Sequence, residues 1–253
     1  MRPQFEPMVG RYFSMQVEGE PCRVYVEEAG TGIPLLCLHT AGSDGRQFRH
    51  LMTDEAITQR FRVIAFDMPW HGKSNPPPGY RDREYRLTTD LYRHTVRAFC
   101  AAYGLDRPVV MGCSMGGRIV LHLALEHPDE FAAVIALEGA DRLEAYYDLE
   151  WLHRPDVHGG EIQAAFVSGQ IAPQSPDEYR WETLWHYMQG GPGVFKGDLY
   201  FYWHDGHFDD RSTRIDTSRC PVYLLSGEYD TSCTPERSQA TAERIRGSKL
   251  VAV

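Results

Sequence analysis

Positive charge is in short supply. Against 35 Asp and Glu the 253-residue chain sets only 26 Lys and Arg, a formal net charge of −9. Binding to a DNA or RNA backbone draws on basic patches, so this balance argues against a nucleic-acid partner. Long apolar runs are absent too. None approaches the ~20 residues that a membrane-spanning helix needs, and no membrane partner is expected. The first residues, MRPQFEPMVGRYF, hold no apolar core of a secretory signal, which points to the cytoplasm. The six cysteines (Cys22, Cys37, Cys100, Cys113, Cys220, Cys233) form no C-x-x-C pair, and several sit inside apolar runs. They read as reduced, mostly buried thiols, and not as a disulfide frame or a zinc site. There is no internal repeat and no low-complexity stretch.

What is present is ordinary globular material: 42% hydrophobic and 24% charged residues, enough for a sizeable core. The segments YFSMQVEG and CRVYVEEAG read as two strands of a hairpin, with Gly19-Glu20-Pro21 between them. PLLCLHT and FRVIAFD are continuous apolar runs, the mark of strands covered on both faces. LTTDLYRHTVRAFCAAYGL has helical spacing and a Thr-rich start suited to capping. PVVMGC reads as a strand, MGGRIVLHLALEHP as a helix stopped by Pro128, and FAAVIALEG as a strand. Strand and helix alternating in this way predict an α/β fold with a mostly parallel sheet and helices on both faces. The alternation breaks after about Gly139. Residues 141–213 have no strand core but are dense in aromatics. They read as a helical cap inserted into a core made of residues 1–140 and 214–253. The pattern resumes with CPVYLLSGEYD and TPERSQATAERIRG. SKLVAV is expected to be a buried final strand.

One motif carries chemistry. Gly112-Cys113-Ser114-Met115-Gly116 is a G-x-S-x-G with a strand before it and a helix after it, the setting of a nucleophile elbow. The turn is sharp, and small residues on both sides of the serine let strand and helix approach. The amides that follow sit at a helix N-terminus, where unpaired N–H groups favour negative charge. An oxyanion site needs a second amide from the loop after the third strand. Ala41, in LLCLHTAGSDGRQF, is the candidate, with Met115 as the other donor. His39 precedes this turn and reads as a hydrogen-bonding brace for it.

These residues resemble the α/β-hydrolase superfamily, in its capped, esterase and C–C-hydrolase-like branch. The markers are LHTAGSD at 38–44, DMPWHGKS at 67–74, GCSMGG at 112–117 and SGEYDTSCTPE at 226–236. Thr40 and Trp70 depart from the usual H-G and D-x-P-G-x-G-x-S forms. In the second marker His71 and Ser74 read as braces of the loop after VIAFD. The superfamily order is Ser, then Asp or Glu, then His. The resemblance places the acid at Asp230; the competing reading is a cap for the helix beginning near Thr234. Glu138, at the end of FAAVIALEG, is the less favoured acid. The resemblance puts the histidine in a loop after the last strand, and no histidine follows His207. The expectation is a natural chain that continues past Val253 and carries the base there. His207, in HDGHFDD, is the alternative within the chain, although it comes one strand and one helix early.

The implied reaction is acyl transfer through Ser114 with no metal or organic cofactor. The expected substrate is a small molecule, apolar or aromatic, with carboxylic esters and lactones first. C–C bond hydrolysis of a diketone-type substrate is the runner-up. A catalytically incomplete ligand-binding protein on the same fold is the reading from another class. Serine stands at the elbow where haloalkane dehalogenases of this fold carry Asp, which argues against dehalogenation. Homo-oligomerisation is left open.

Overall fold

The computed structural model describes residues 5–145 and 160–253. Strands β1 (Val9–Val17) and β2 (Glu20–Ala29) form an antiparallel hairpin. Glu18 and Gly19 turn it, both with positive φ (51° and 83°). Two such residues match the twist of the flanking strands, so the turn closes earlier than Gly19-Glu20-Pro21 suggested. Glu20 and Pro21 already pair with Val17 and Gln16.

Strand β3 (Ile33–Leu38) is followed by two short helices, α1 (Arg49–Thr53) and α2 (Glu55–Thr58), and by β4 (Phe61–Phe66). Helix α3 (Thr89–Tyr103), β5 (Val109–Cys113), α4 (Met115–Glu126) and β6 (Ala133–Leu137) come next. Thr88 Oγ1 accepts from Leu91 N–H at 3.1 Å and caps α3; Gly104, at φ 69°, ends it. Tyr92, Val96 and Phe99 form its fully buried stripe, at the i, i+4, i+7 spacing of one helix face.

After β6 come α5 (Gly160–Ser168), α6 (Asp177–Tyr187) and α7 (Val194–Tyr200), then a π-helical turn at Phe201–Asp205. All four lie in the stretch read as an insertion. Residues 146–159, with Tyr146, Tyr147 and Trp151, lie outside the described residues. The remaining aromatics divide. Phe195, Phe201, Tyr202, Trp203 and Phe208 join the main core, whereas Trp181 and Trp185 on α6 are exposed. Strand β7 (Val222–Ser226), α8 (Pro235–Arg244) and β8 (Lys249–Ala252) complete the order.

The eight strands run β1-β2-β4-β3-β5-β6-β7-β8. Two pairings, β1 with β2 and β2 with β4, are antiparallel and the rest are parallel. The expected buried final strand is instead a sheet edge. Among the described residues β8 pairs with β7 alone, and Val251 is 48% exposed, because no second described strand covers its other side. No described helix is long and apolar enough to cross a membrane.

Candidate active site

Three parallel strands end side by side at one edge of the sheet. Ser114 N–H donates to Leu137 O at 2.8 Å, and Glu138 N–H donates to Leu225 O at 2.9 Å. The residues that follow β5, β6 and β7 are thereby stepped against one another.

Ser114 has φ 56° and ψ −109°, a conformation costly for any residue with a Cβ. It persists because both neighbours are pinned. A Cβ on Gly112 would lie 2.1 Å from Gly116 O, and one on Gly116 would lie 2.6 Å from Leu38 O. Only glycine lets strand and helix close to this distance. Ser114 is the residue before α4, so the Met115 amide stands at the free N-terminus of a helix.

The Ala41 loop is held from behind. Thr40 O accepts from His39 Nδ1–H at 2.9 Å and from Ser43 N–H at 3.3 Å. A peptide unit is planar, with N–H opposite C=O, so fixing Thr40 O also fixes the direction of Ala41 N–H. His39 Nε2 accepts from Met68 N–H at 3.3 Å, which makes the ring neutral with its proton on Nδ1. Burial, with His71 beside it, pushes the His39 pKa down to about 4. Ser74 does brace its loop: its hydroxyl donates to Asp67 O at 2.6 Å and accepts from Tyr25 N–H at 2.8 Å.

Both acid candidates reach the same place. Asp230 Oδ1 accepts from Ser232 N–H at 2.6 Å and Cys233 N–H at 2.9 Å. It is not the cap of α8, which has Thr234 in that position. Glu138 also has a strained backbone, φ 48°. Its Oε1 accepts from Gly227 N–H at 2.7 Å, while Oε2 is buried without a hydrogen bond. Burial and the adjoining Asp230 carboxylate push Glu138 up to about 8. Glu138 is thereby held largely protonated near neutral pH.

A cleft of about 520 Å³ opens over this edge. Ala41, Ser114, Glu138 and Asp230 all line it. His207 does not; its Nε2 donates to Trp203 O at 2.6 Å. Two histidines that the sequence did not mark out do line the cleft, His50 and His186. His50 Nε2 lies 2.7 Å from Glu182 Oε2, and burial pushes His186 below the usual imidazole value. Their only signal was the i, i+4 pair Glu182–His186 on a helix. Among the described residues no hydrogen bond reaches the Ser114 hydroxyl, and no three His, Cys, Asp or Glu side chains group as a metal site.

Residues 33–156 match the family model described as the alpha/beta hydrolase fold. Among solved structures, a thermophilic esterase from Thermogutta terrifontis superposes with a TM-score of 0.79 at 21% identity, covering 96% of this chain and 89% of the other. The enol-lactonase from Burkholderia xenovorans LB400 gives 0.77 at 18%, with 96% and 91% covered. Haloalkane dehalogenase 2 from Mycobacterium tuberculosis (strain ATCC 25618 / H37Rv) is 29% identical over 133 residues, 53% of this chain and 43% of that protein. The chain spans less than half the length of the first curated relatives it matches. Sheet order, elbow and the match over residues 33–156 agree, and the chain has the α/β-hydrolase fold.

Proposed function

We propose that the protein is a serine hydrolase that cleaves a carboxylic ester or a lactone through an acyl-enzyme. One observation carries this reading. A serine in a strained elbow, at the open end of α4, shares its cleft with Ala41 and a carboxyl pair. In the first step Ser114 Oγ bonds to the carbonyl carbon and loses its proton to a base. The C=O electron pair moves onto oxygen, which the Ala41 and Met115 N–H groups receive. The alkoxy group leaves with a proton, and water then releases the acid and restores the serine.

In this reading Asp230 is the triad acid. It orients an imidazole and offsets the charge that the imidazole gains. Glu138, largely protonated near neutral pH, suits that role less well. The base is an imidazole in this scheme, and no described histidine is bonded to Ser114. Residues 141–213 act as the cap over a core of 1–140 and 214–253. Tyr187, Phe195 and Tyr202 line the cleft and favour a bulky apolar or aromatic acyl group. The likeness to an esterase and to an enol-lactonase points the same way.

A fluorophosphonate probe with the wild type and Ser114→Ala tests the reading, together with p-nitrophenyl butyrate turnover. Labelling at Ser114 and turnover, both lost in Ser114→Ala, are expected. A wild type that neither labels nor turns over sinks the proposal and favours a ligand-binding protein. Strong preference for a vinylogous diketone over the ester would instead assign C–C hydrolysis.

A further inference from the structure

Asp198 lies on α7, inside the inserted helices, and its side chain is fully buried. Its Oδ2 accepts from Gly42 N–H at 2.7 Å and from His71 Nε2–H at 2.9 Å. Its Oδ1 accepts from Tyr85 OH at 2.8 Å. His71 Nδ1 lies 3.0 Å from Pro69 O, which can only accept. Both ring nitrogens of His71 therefore carry protons, and a buried imidazolium faces the Asp198 carboxylate. Trp70 helps to aim that ring, since its backbone takes φ 79° immediately before His71. The His71 ring in turn packs on His39, with centroids 4.7 Å apart.

Two ties from this group reach the loop that holds Ala41. The peptide before Ala41 is fixed through Thr40 O by His39 and Ser43. The peptide after it is fixed through Gly42 N–H by Asp198. Gly42 also has φ 67°, and a Cβ there would meet Phe195 Cδ2 at 2.7 Å, so α7 lies directly on the turn. Two consecutive peptide planes, each held by hydrogen bonds, leave Ala41 N–H a single direction.

We infer that Asp198 is a positioning residue, through which the inserted helices clamp the Ala41–Gly42 turn and aim the Ala41 amide at the substrate oxyanion. The aim half of this inference rests on the acyl-transfer reading; the clamp half stands on geometry alone. Loss of a whole oxyanion donor lowers kcat about 10²–10³-fold, so a donor left in place but loosened should lose about 30-fold.

The test compares wild type with Asp198→Asn, which keeps the shape and removes the charge. The expected result is about a 30-fold lower kcat on p-nitrophenyl butyrate with KM within threefold. Affinity for a trifluoromethyl ketone, which forms an oxyanion on Ser114, should fall in parallel. An Asp198 that served stability alone would lower Tm and leave kcat of the folded enzyme unchanged, and that result overturns the inference. Amide hydrogen exchange reads the clamp without turnover. Gly42 N–H is expected to be protected in the wild type and to exchange at least tenfold faster in Asp198→Asn, with β5 amides unchanged. A wild-type Gly42 amide that exchanges like an open turn overturns the clamp even where the variant does not fold. A wild type that neither labels nor turns over removes the acyl-transfer reading, and the exchange result then decides the clamp alone.

Discussion

Glu138 and Asp230 end neighbouring strands, and their environments differ in a way that separates their roles. Asp230 has two backbone N–H donors on one oxygen, whereas Glu138 has one donor and a buried oxygen with none. A carboxyl raised to about 8 favours the folded state while it stays protonated. That contribution is complete below the ordinary carboxyl range and is lost as pH climbs toward about 8. The melting temperature of the wild type should therefore decline between pH 5 and 8.5, and Glu138→Gln should flatten the decline. Calorimetry over that range checks it; parallel curves for the two proteins would contradict it. Activity should divide the pair in the opposite sense. Asp230→Asn is expected to lower ester kcat by on the order of 10⁴, the scale of losing a triad acid. Glu138→Gln should cost far less, and the reverse ranking would exchange the two roles. Ser114 was legible in the sequence because its motif is local. The Glu138–Asp230 contact was not, since strand order alone brings β6 beside β7.

The β3–β5–α4 unit depends on backbones that touch. A methyl group on Gly116 would stand 2.6 Å from Leu38 O, so Gly116→Ala must push α4 away from the end of β3. We expect a loss of about 2 kcal/mol in urea unfolding and slower fluorophosphonate labelling at Ser114. Unchanged labelling would mean that the elbow tolerates the shift. Thr88→Ala removes the cap of α3 and should cost about 1 kcal/mol with no change in labelling, because α3 is remote from the cleft edge. Elements were legible wherever pattern and cap coincided, as in α3. The hairpin turn moved because positive φ at Glu18 and Gly19 suits a two-residue connection better than Pro21 does. The final strand forms where expected, but its burial was misjudged because an apolar run cannot show how many neighbours it will have.

One buried carboxylate, Asp141, ties the residues after β6 to those before β7 and to α8. Asp141, 1% exposed, accepts from Ser212 Oγ and Arg244 Nε at 2.6 Å each, and from Thr241 Oγ1 at 3.2 Å. Burial alone would raise its pKa, but the Arg244 guanidinium and the two hydroxyls overcome that and hold it below the usual carboxylate range. A lowered carboxyl stabilises the fold above its ordinary pKa, and the contribution is lost as pH falls through the lowered value. Asp141→Asn should lower Tm at pH 7 and reduce its dependence on pH in acid. Equal melting temperatures at pH 7 would show that the tie contributes nothing. Arg118, fully buried, makes a second tie, donating to Ala140 O at 2.7 Å and to Tyr202 O.

Local order was sufficient to read the alternation of strand and helix, the elbow at Ser114 and the brace at His39. Each of these depends on residues within one turn or one strand of each other, where spacing and backbone preference act directly. Contacts across the fold were decided elsewhere. The pairing of Glu138 with Asp230 and the descent of Asp198 onto Gly42 both join residues far apart in the chain. Their partners were chosen by sheet order and by how α7 packs, and hydrophobic spacing carries no record of either.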